Sequence, residues 1–130
     1  MIEFRLDSRS GVATYLQIVH QVRHAVRLGI LRPGDQLPTV KEVVGSLAIN
    51  PNTVLKAYRE LEHEGLAEGR PGLGTFVRER PGGPPPGNHT AIRRALERWL
   101  RNAFDAGLDL EDVRALFETS VRDMGEEGVA

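Results

Sequence analysis

Apolar positions recur at helical spacing in three stretches of the first part of the chain and two of the last. Tyr15, Leu16, Val19, Val22 and Val26 share one face of a helix predicted from about Val12 to Leu28. A short extended segment is expected ahead of it. Gly29 follows as a stop, with Ile30 placed to pack back on the last turn, and Arg32-Pro33-Gly34-Asp35 reads as a turn. Thr39-Val40-Lys41-Glu42 has the form of a capping box: the Thr39 hydroxyl accepts from the amide three residues on, and Glu42 reaches back. It opens a short helix whose Val43, Val44 and Leu47 face inward. That helix ends near Leu47, because Asn50 is a good N-cap and Pro51 a good first helical residue. Ala48-Ile49 therefore forms a tight connection, and the next helix runs from Pro51 to about Glu64, with Gly65 as its stop.

Two short helices joined so tightly make a helix-turn-helix. Beyond Gly65 come Leu66-Ala67-Glu68-Gly69-Arg70, a Pro71-Gly72-Leu73-Gly74 tip, and Thr75-Phe76-Val77. Two extended runs around a Pro/Gly tip predict a β-hairpin. The fold class expected is mainly α with a small β-hairpin, a winged helix-turn-helix plus a C-terminal two-helix hairpin.

Pro81-Gly82-Gly83-Pro84-Pro85-Pro86-Gly87 continues neither a helix nor a central strand. It divides the chain into residues 1–78, a linker at 79–88, and residues 89–130. In the last part, Thr90 is placed to cap a helix running to about Asp105. Ile92, Ala95, Leu96, Trp99, Leu100, Ala103 and Phe104 form its stripe. Gly107 stops it, and Asp109 caps another helix, with Leu108 and Val113 as a hydrophobic staple. Val113, Leu116, Phe117, Val121 and Met124 continue the apolar stripe. Two helices bury one seam only, and so small a unit rarely holds alone without a disulfide or metal. Pairing with a second copy is the economical solution. Ile92, Leu96, Trp99, Leu100, Phe104, Val113, Leu116, Phe117 and Val121 are its expected contacts, giving a homodimer.

On the third helix, at about 100° per residue, Val54, Ala57, Tyr58 and Leu61 form the buried stripe. Asn52, Lys56, Arg59 and His63 share the opposite face, with no carboxylate at its centre. His63 is read as an ordinary surface residue. An α-helix fits the major groove of double-stranded DNA, where Asn bonds adenine and Lys or Arg reaches guanine or phosphate. Asn50, Pro51, Asn52 and Thr53 at the N-terminus would lie deepest. Lys41, in the first turn of its helix, opposes the helix dipole and hints at an external anion. Arg70 beside the small tip can approach a narrow groove.

Composition changes this picture little. The 130 residues are 40% hydrophobic and 27% charged, with no cysteine. Disulfides and thiolate metal sites are excluded, which fits a reducing cytoplasm. No apolar run nears the roughly 20 residues that span a bilayer, and Met1-Ile2-Glu3-Phe4-Arg5 lacks a signal-peptide pattern. The expectation is a cytoplasmic protein with no membrane partner. Net charge is −1, with 10 Lys+Arg against 8 Asp+Glu in residues 1–78 and 7 against 10 beyond. That balance keeps open a winged-helix protein-interaction module without DNA readout. His20 and His24 are spaced for a metal, but no third ligand is evident, so no metal and no cofactor are expected. No nucleophile–base set suggests an enzyme.

Several spaced motifs also resemble the GntR family of bacterial regulators. They are Pro33-Gly34-Asp35-Gln36-Leu37-Pro38-Thr39-Val40-Lys41-Glu42, Asn50-Pro51-Asn52-Thr53-Val54, Tyr58-Arg59-Glu60-Leu61-Glu62-His63-Glu64-Gly65-Leu66, and Gly72-Leu73-Gly74-Thr75-Phe76-Val77. The Asn-Pro-Asn-Thr helix start and the short C-terminal hairpin resemble its YtrA-like branch. The resemblance implies DNA contacts from Thr39, Lys41, Asn50, Pro51, Asn52, Thr53, Lys56, Arg70 and Gly72. It implies a transcription regulator, a repressor binding a palindromic operator as a homodimer, often of transporter operons near its own gene. The family usually has Arg where Lys41 stands, which reduces a bidentate contact to a point charge. Small Leu-Ala and Gly residues are common where Val43-Val44 and Ala48 stand. The short C-terminal part lacks the large effector pocket of longer relatives. A small-molecule effector at the dimer interface is compatible with this reading, though no residue set singles one out.

Overall fold

The computed structural model describes residues 2–78 and 90–128. The Pro/Gly linker expected at 79–88 lies outside them. The chain forms two compact units, Met1–Gly87 and Asn88–Ala130.

The first unit contains α1 (Thr14–Arg27), α2 (Val40–Leu47), α3 (Pro51–His63), β1 (Ala67–Arg70) and β2 (Gly74–Val77). α3 is its centre, packing against α1, α2 and β1. The core is one cluster: Ile18, Val19, Val22 and Ala25 of α1, Val43 of α2, and Val54, Ala57, Tyr58 and Leu61 of α3. Phe4, Leu31, Leu37 and Leu66 close it from the segments outside the helices, and Ala67 and Val77 from the two strands. The α1 stripe is rotated from the one expected. Ile18 and Ala25 fill the core, while Tyr15, Leu16 and Val26 are half-buried. Nor does Ile30 pack on the helix end. It is 53% exposed and Leu31, at 5%, takes that place. The Leu31 amide joins that of Ile30 in donating to the Ala25 carbonyl, which turns the chain one residue further.

Caps set the helix boundaries. The Glu42 amide donates to the Thr39 hydroxyl at 3.1 Å, and that hydroxyl donates to Glu42 Oε1 at 3.1 Å. Glu42 thus closes the box through the Thr39 side chain. Ala48 between α2 and α3 has φ +54, a left-handed conformation that costs a residue with a Cβ about 1–2 kcal/mol. The turn accepts it because Asn50 starts α3 two residues later, its side chain accepting from the Asn52 amide at 2.8 Å. Gly65, at φ +78, ends α3. The Leu66 amide then reaches back to the Leu61 carbonyl and its side chain enters the core.

The hairpin is antiparallel, with Ala67 opposite Val77, Glu68 opposite Phe76, Gly69 opposite Thr75 and Arg70 opposite Gly74. A third extended piece joins it. Gln36 bridges to Phe76, and backbone bonds from Leu37 to Thr75 and from Val77 to Asp35 run alongside β2. The segment preceding α1 is clipped on by amide side chains. Gln21 donates to the Arg5 carbonyl at 2.7 Å and accepts from the Arg5 amide at 2.9 Å, and Gln17 does the same for Asp7. An ion pair between Arg23 and Glu64 ties α1 to the end of α3.

Tyr58 is buried among α3's core residues, and its hydroxyl donates to the Pro38 carbonyl just before α2. Burial pushes its pKa well above the ordinary value, and the nearby Glu42 carboxylate adds to the rise. A phenol kept neutral in the fold but ionising freely in the unfolded chain leaves stability untouched below the unfolded value of about 10. Above that pH the unfolded chain is favoured. Chemical denaturation from pH 8 to 11 should therefore show a loss of stability that Tyr58→Phe reduces. At pH 7 that variant should cost about 1 kcal/mol, for the lost hydrogen bond. An identical pH slope in both proteins would contradict the assignment.

The second unit is α4 (Thr90–Asp105) and α5 (Leu110–Gly128), packed on each other. Thr90 lies within the first turn of α4, not ahead of it as a cap. Asp109 and Asp112 cap α5 reciprocally: each backbone amide donates to the other's carboxylate, at 2.8 and 3.0 Å. Among the described residues of this unit, Ala103 and Val113 are buried, and Leu108 is half-buried.

Candidate nucleic-acid interface

The geometry of α3 separates the residues that hold it from those it offers. Val54, Ala57, Tyr58 and Leu61 are all in the core. A helix turns about 100° per residue, so Asn52, Lys56, Arg59 and His63 emerge on the opposite side, and all four are exposed. Pro51 is exposed at the tip and Thr53 is half-buried. The Asn50 side-chain oxygen is engaged as the cap, and the residue is exposed. Thr39 is likewise engaged, both accepting from and donating to Glu42. Lys41 is exposed, and among the described residues it forms no ion pair.

At the wing, Gly72 has φ +76 and follows Pro71, the arrangement of a type II turn. The Leu73 amide closes it on the Arg70 carbonyl at 2.9 Å. A Cβ added at Gly72 would meet nothing within 4 Å, so it is the positive φ rather than lack of room that favours glycine at the tip. Arg70 stands at its base. Its direct partner across the hairpin is Gly74, which has no side chain, so the guanidinium lies diagonally over the Phe76 ring, 4.4 Å from the centroid. Its Nε also donates to Glu68 Oε1 at 3.0 Å. Both contacts hold the cation in place, and the second offsets part of its charge.

Two features were invisible to the pattern of the chain. Lys56 Nζ sits over the ring of Tyr15, 4.1 Å from its centroid, across 41 residues of sequence. Gln36 Nε2 donates to the Leu73 carbonyl at 3.2 Å and fixes the wing tip from the segment before α2. Only the amide at Gln36 hinted at such a use.

In the second unit the residues expected to pair two chains are not equivalent. Val113 is spent on the seam between α4 and α5. Trp99 and Leu100 are half-buried. Ile92, Leu96, Phe104, Leu116, Phe117 and Val121 remain exposed, together with Met124. Leu96, Trp99, Leu100 and Phe117 line a shallow apolar groove with Val113 at its base. Among the described residues no group of three His, Asp or Glu is gathered as for a metal, and no helix is long and apolar enough to cross a membrane.

A capped helix-turn-helix followed at once by a hairpin defines a winged-helix protein. The family model for bacterial regulatory proteins of the gntR family matches residues 14–77. The chain is 40% identical to the HTH-type transcriptional repressor YtrA of Bacillus subtilis over 108 residues, 82% of this chain and 83% of the relative. It therefore belongs to the GntR family of bacterial regulatory proteins, with a YtrA-like organisation. Among solved structures, YtrA from Sulfolobus acidocaldarius, described as a GntR-family transcription factor, aligns with TM-score 0.55 and 28% identity, over 75% of this chain and 97% of that one. A protein from Listeria monocytogenes described as a transcriptional antiterminator aligns with TM-score 0.61 and 27% identity, over 94% and 92%. The relatives named here are transcription regulators rather than enzymes.

Proposed function

We propose that this protein is a sequence-specific transcriptional repressor that binds a palindromic operator as a homodimer. Residues 1–78 read the DNA, 89–130 pair two copies, and 79–88 link them. The observation that carries this reading is the face of α3, where Asn52, Lys56 and Arg59 are exposed while the opposite side of the same helix is core. Asn52, the second residue of the helix, can bond an adenine edge in the major groove, and Lys56 and Arg59 reach guanine or phosphate. Lys41, the Asn50 NH₂ group, Pro51, Thr53 and the Arg70–Gly72 wing are the further DNA contacts this reading expects, and Thr39 serves by shaping the start of α2. The apolar groove of the second unit is the dimer surface, since pairing would cover Leu96, Phe117 and their exposed neighbours. Two-fold pairing presents two recognition helices to two inverted half-sites. The B. subtilis relative carries the name of a repressor, which supports repression as the output.

Selection of bound fragments from a random DNA pool tests this directly. Two inverted half-sites at a fixed spacing are expected. With Asn52→Ala, one base position per half-site should lose its preference, at a cost of about 1–3 kcal/mol. No enrichment, or a single asymmetric site, would defeat the proposal.

A further inference from the structure

Lysine is a poor choice for a fixed contact, because a free side chain must surrender its rotamer freedom when it binds. Lys56 is not free. Its ammonium lies 4.1 Å from the centroid of the Tyr15 ring, within the range where a ring's negative face attracts a cation. Tyr15 stands in the first turn of α1, half-buried. α1 packs on α3 through the core, so the helix pair holds the ring whether or not Lys56 is there.

The manner of holding matters. The described ion pairs are Arg23–Glu64, Arg70–Glu68 and Arg93–Glu97, and Lys56 takes part in none. A carboxylate would have fixed the ammonium by cancelling its charge, and a phosphate would then have to displace it. An aromatic face orients the cation and leaves its charge intact. Arg70 shows the other case, since Glu68 contacts its guanidinium directly.

We propose that Tyr15 is a positioning residue for DNA recognition: its ring pre-orients the uncancelled Lys56 ammonium toward a backbone phosphate. This rests on the DNA-binding reading above. The test is a double-mutant cycle on the full chain, with Tyr15→Leu, Lys56→Met and the pair. Binding is measured by fluorescence anisotropy on the selected operator at several salt concentrations. Tyr15→Leu should weaken binding about three- to tenfold. In the Lys56→Met background the same change should do nothing further. Lys56→Met should lower the slope of log affinity against log salt by about one for each protomer. Tyr15→Phe, which keeps the ring, should bind like the unaltered protein.

Additive effects in the cycle would overturn the proposal, as would a Tyr15→Phe loss equal to that of Tyr15→Leu. An unchanged salt slope in Lys56→Met would overturn the phosphate as its target. If Tyr15→Leu melts early, fluorinated phenylalanines at position 15 keep the shape while weakening the ring's field stepwise. Affinity must then fall with each added fluorine, and a flat series counts against the idea. Failure of the unaltered protein to enrich any DNA would instead mark failure of the DNA-binding reading itself.

Discussion

Phe117→Asp should convert the protein to a monomer and weaken operator binding by about two to three orders of magnitude, the scale set by losing a tethered second contact. Phe117 is 51% exposed on α5 and lines the groove with Leu96, Trp99 and Leu100. Covering a phenylalanine contributes about 1.5–3 kcal/mol, and two-fold symmetry counts each contact twice. An aspartate in the same place gains nothing and must lose water without a partner, which costs several kcal/mol more. The residues that hold α4 to α5, Ala103 and Val113, are untouched, so helicity should survive. Sedimentation velocity would report the monomer, circular dichroism the retained helices, and a band shift the loss of affinity. A variant that stays dimeric would move the interface elsewhere. One that turns monomeric yet binds DNA with full affinity would remove the need for pairing.

How far the chain announces this arrangement depends on the range of each interaction. Helix starts at Thr39, Asn50 and Asp109 were legible because a cap is local: the donor and acceptor lie within three residues of each other. The α3 stripe was legible for a similar reason, since one helix with one buried side repeats its pattern every turn. Failures came where a distant partner decides. Gln36 and Leu37, between the Arg32–Asp35 turn and the Thr39 cap, belong to no element that the sequence predicts, and only the presence of β2 makes them an extended rung beside Phe76 and Thr75. Gln17 and Gln21 look like polar helix surface, yet their amides bind the backbone of the segment before α1. Ile30 and Leu31 are both apolar, and only the folded turn, in which both amides donate to the Ala25 carbonyl, shows which is buried.

At the candidate site the same division holds. Which residues of α3 face outward follows from periodicity. What restrains them does not. Arg70 meets Phe76 because Gly74, directly opposite, offers no side chain. Lys56 meets Tyr15 because α1 and α3 are neighbours. Thr39 and Asn50 show a further ambiguity that sequence leaves open. The groups that make a residue a good cap are also groups that bond DNA, and here part of each side chain is already committed to the helix it starts.

Reversing the four interface charges together, with Lys41→Glu, Lys56→Glu, Arg59→Glu and Arg70→Glu, should abolish detectable operator binding while leaving the fold and the dimer intact. All four residues are exposed, and surface substitutions away from caps and core typically change stability by no more than about 0.5 kcal/mol each. Arg70 forfeits its contacts with Glu68 and Phe76, so a small drop in melting temperature is expected from the wing. On DNA the arithmetic runs the other way. Each lost phosphate contact removes about 0.9 from the slope of log affinity against log salt, and each new carboxylate faces a polyanion. With a net charge of only −1 to begin with, the protein has no general positive field to compensate, so affinity must come from where its cations are placed. Lowering the salt should therefore fail to restore binding. If the four-fold variant instead keeps its regulatory effect in a reporter assay, the wing and α3 serve a protein partner, and this winged helix acts without reading DNA.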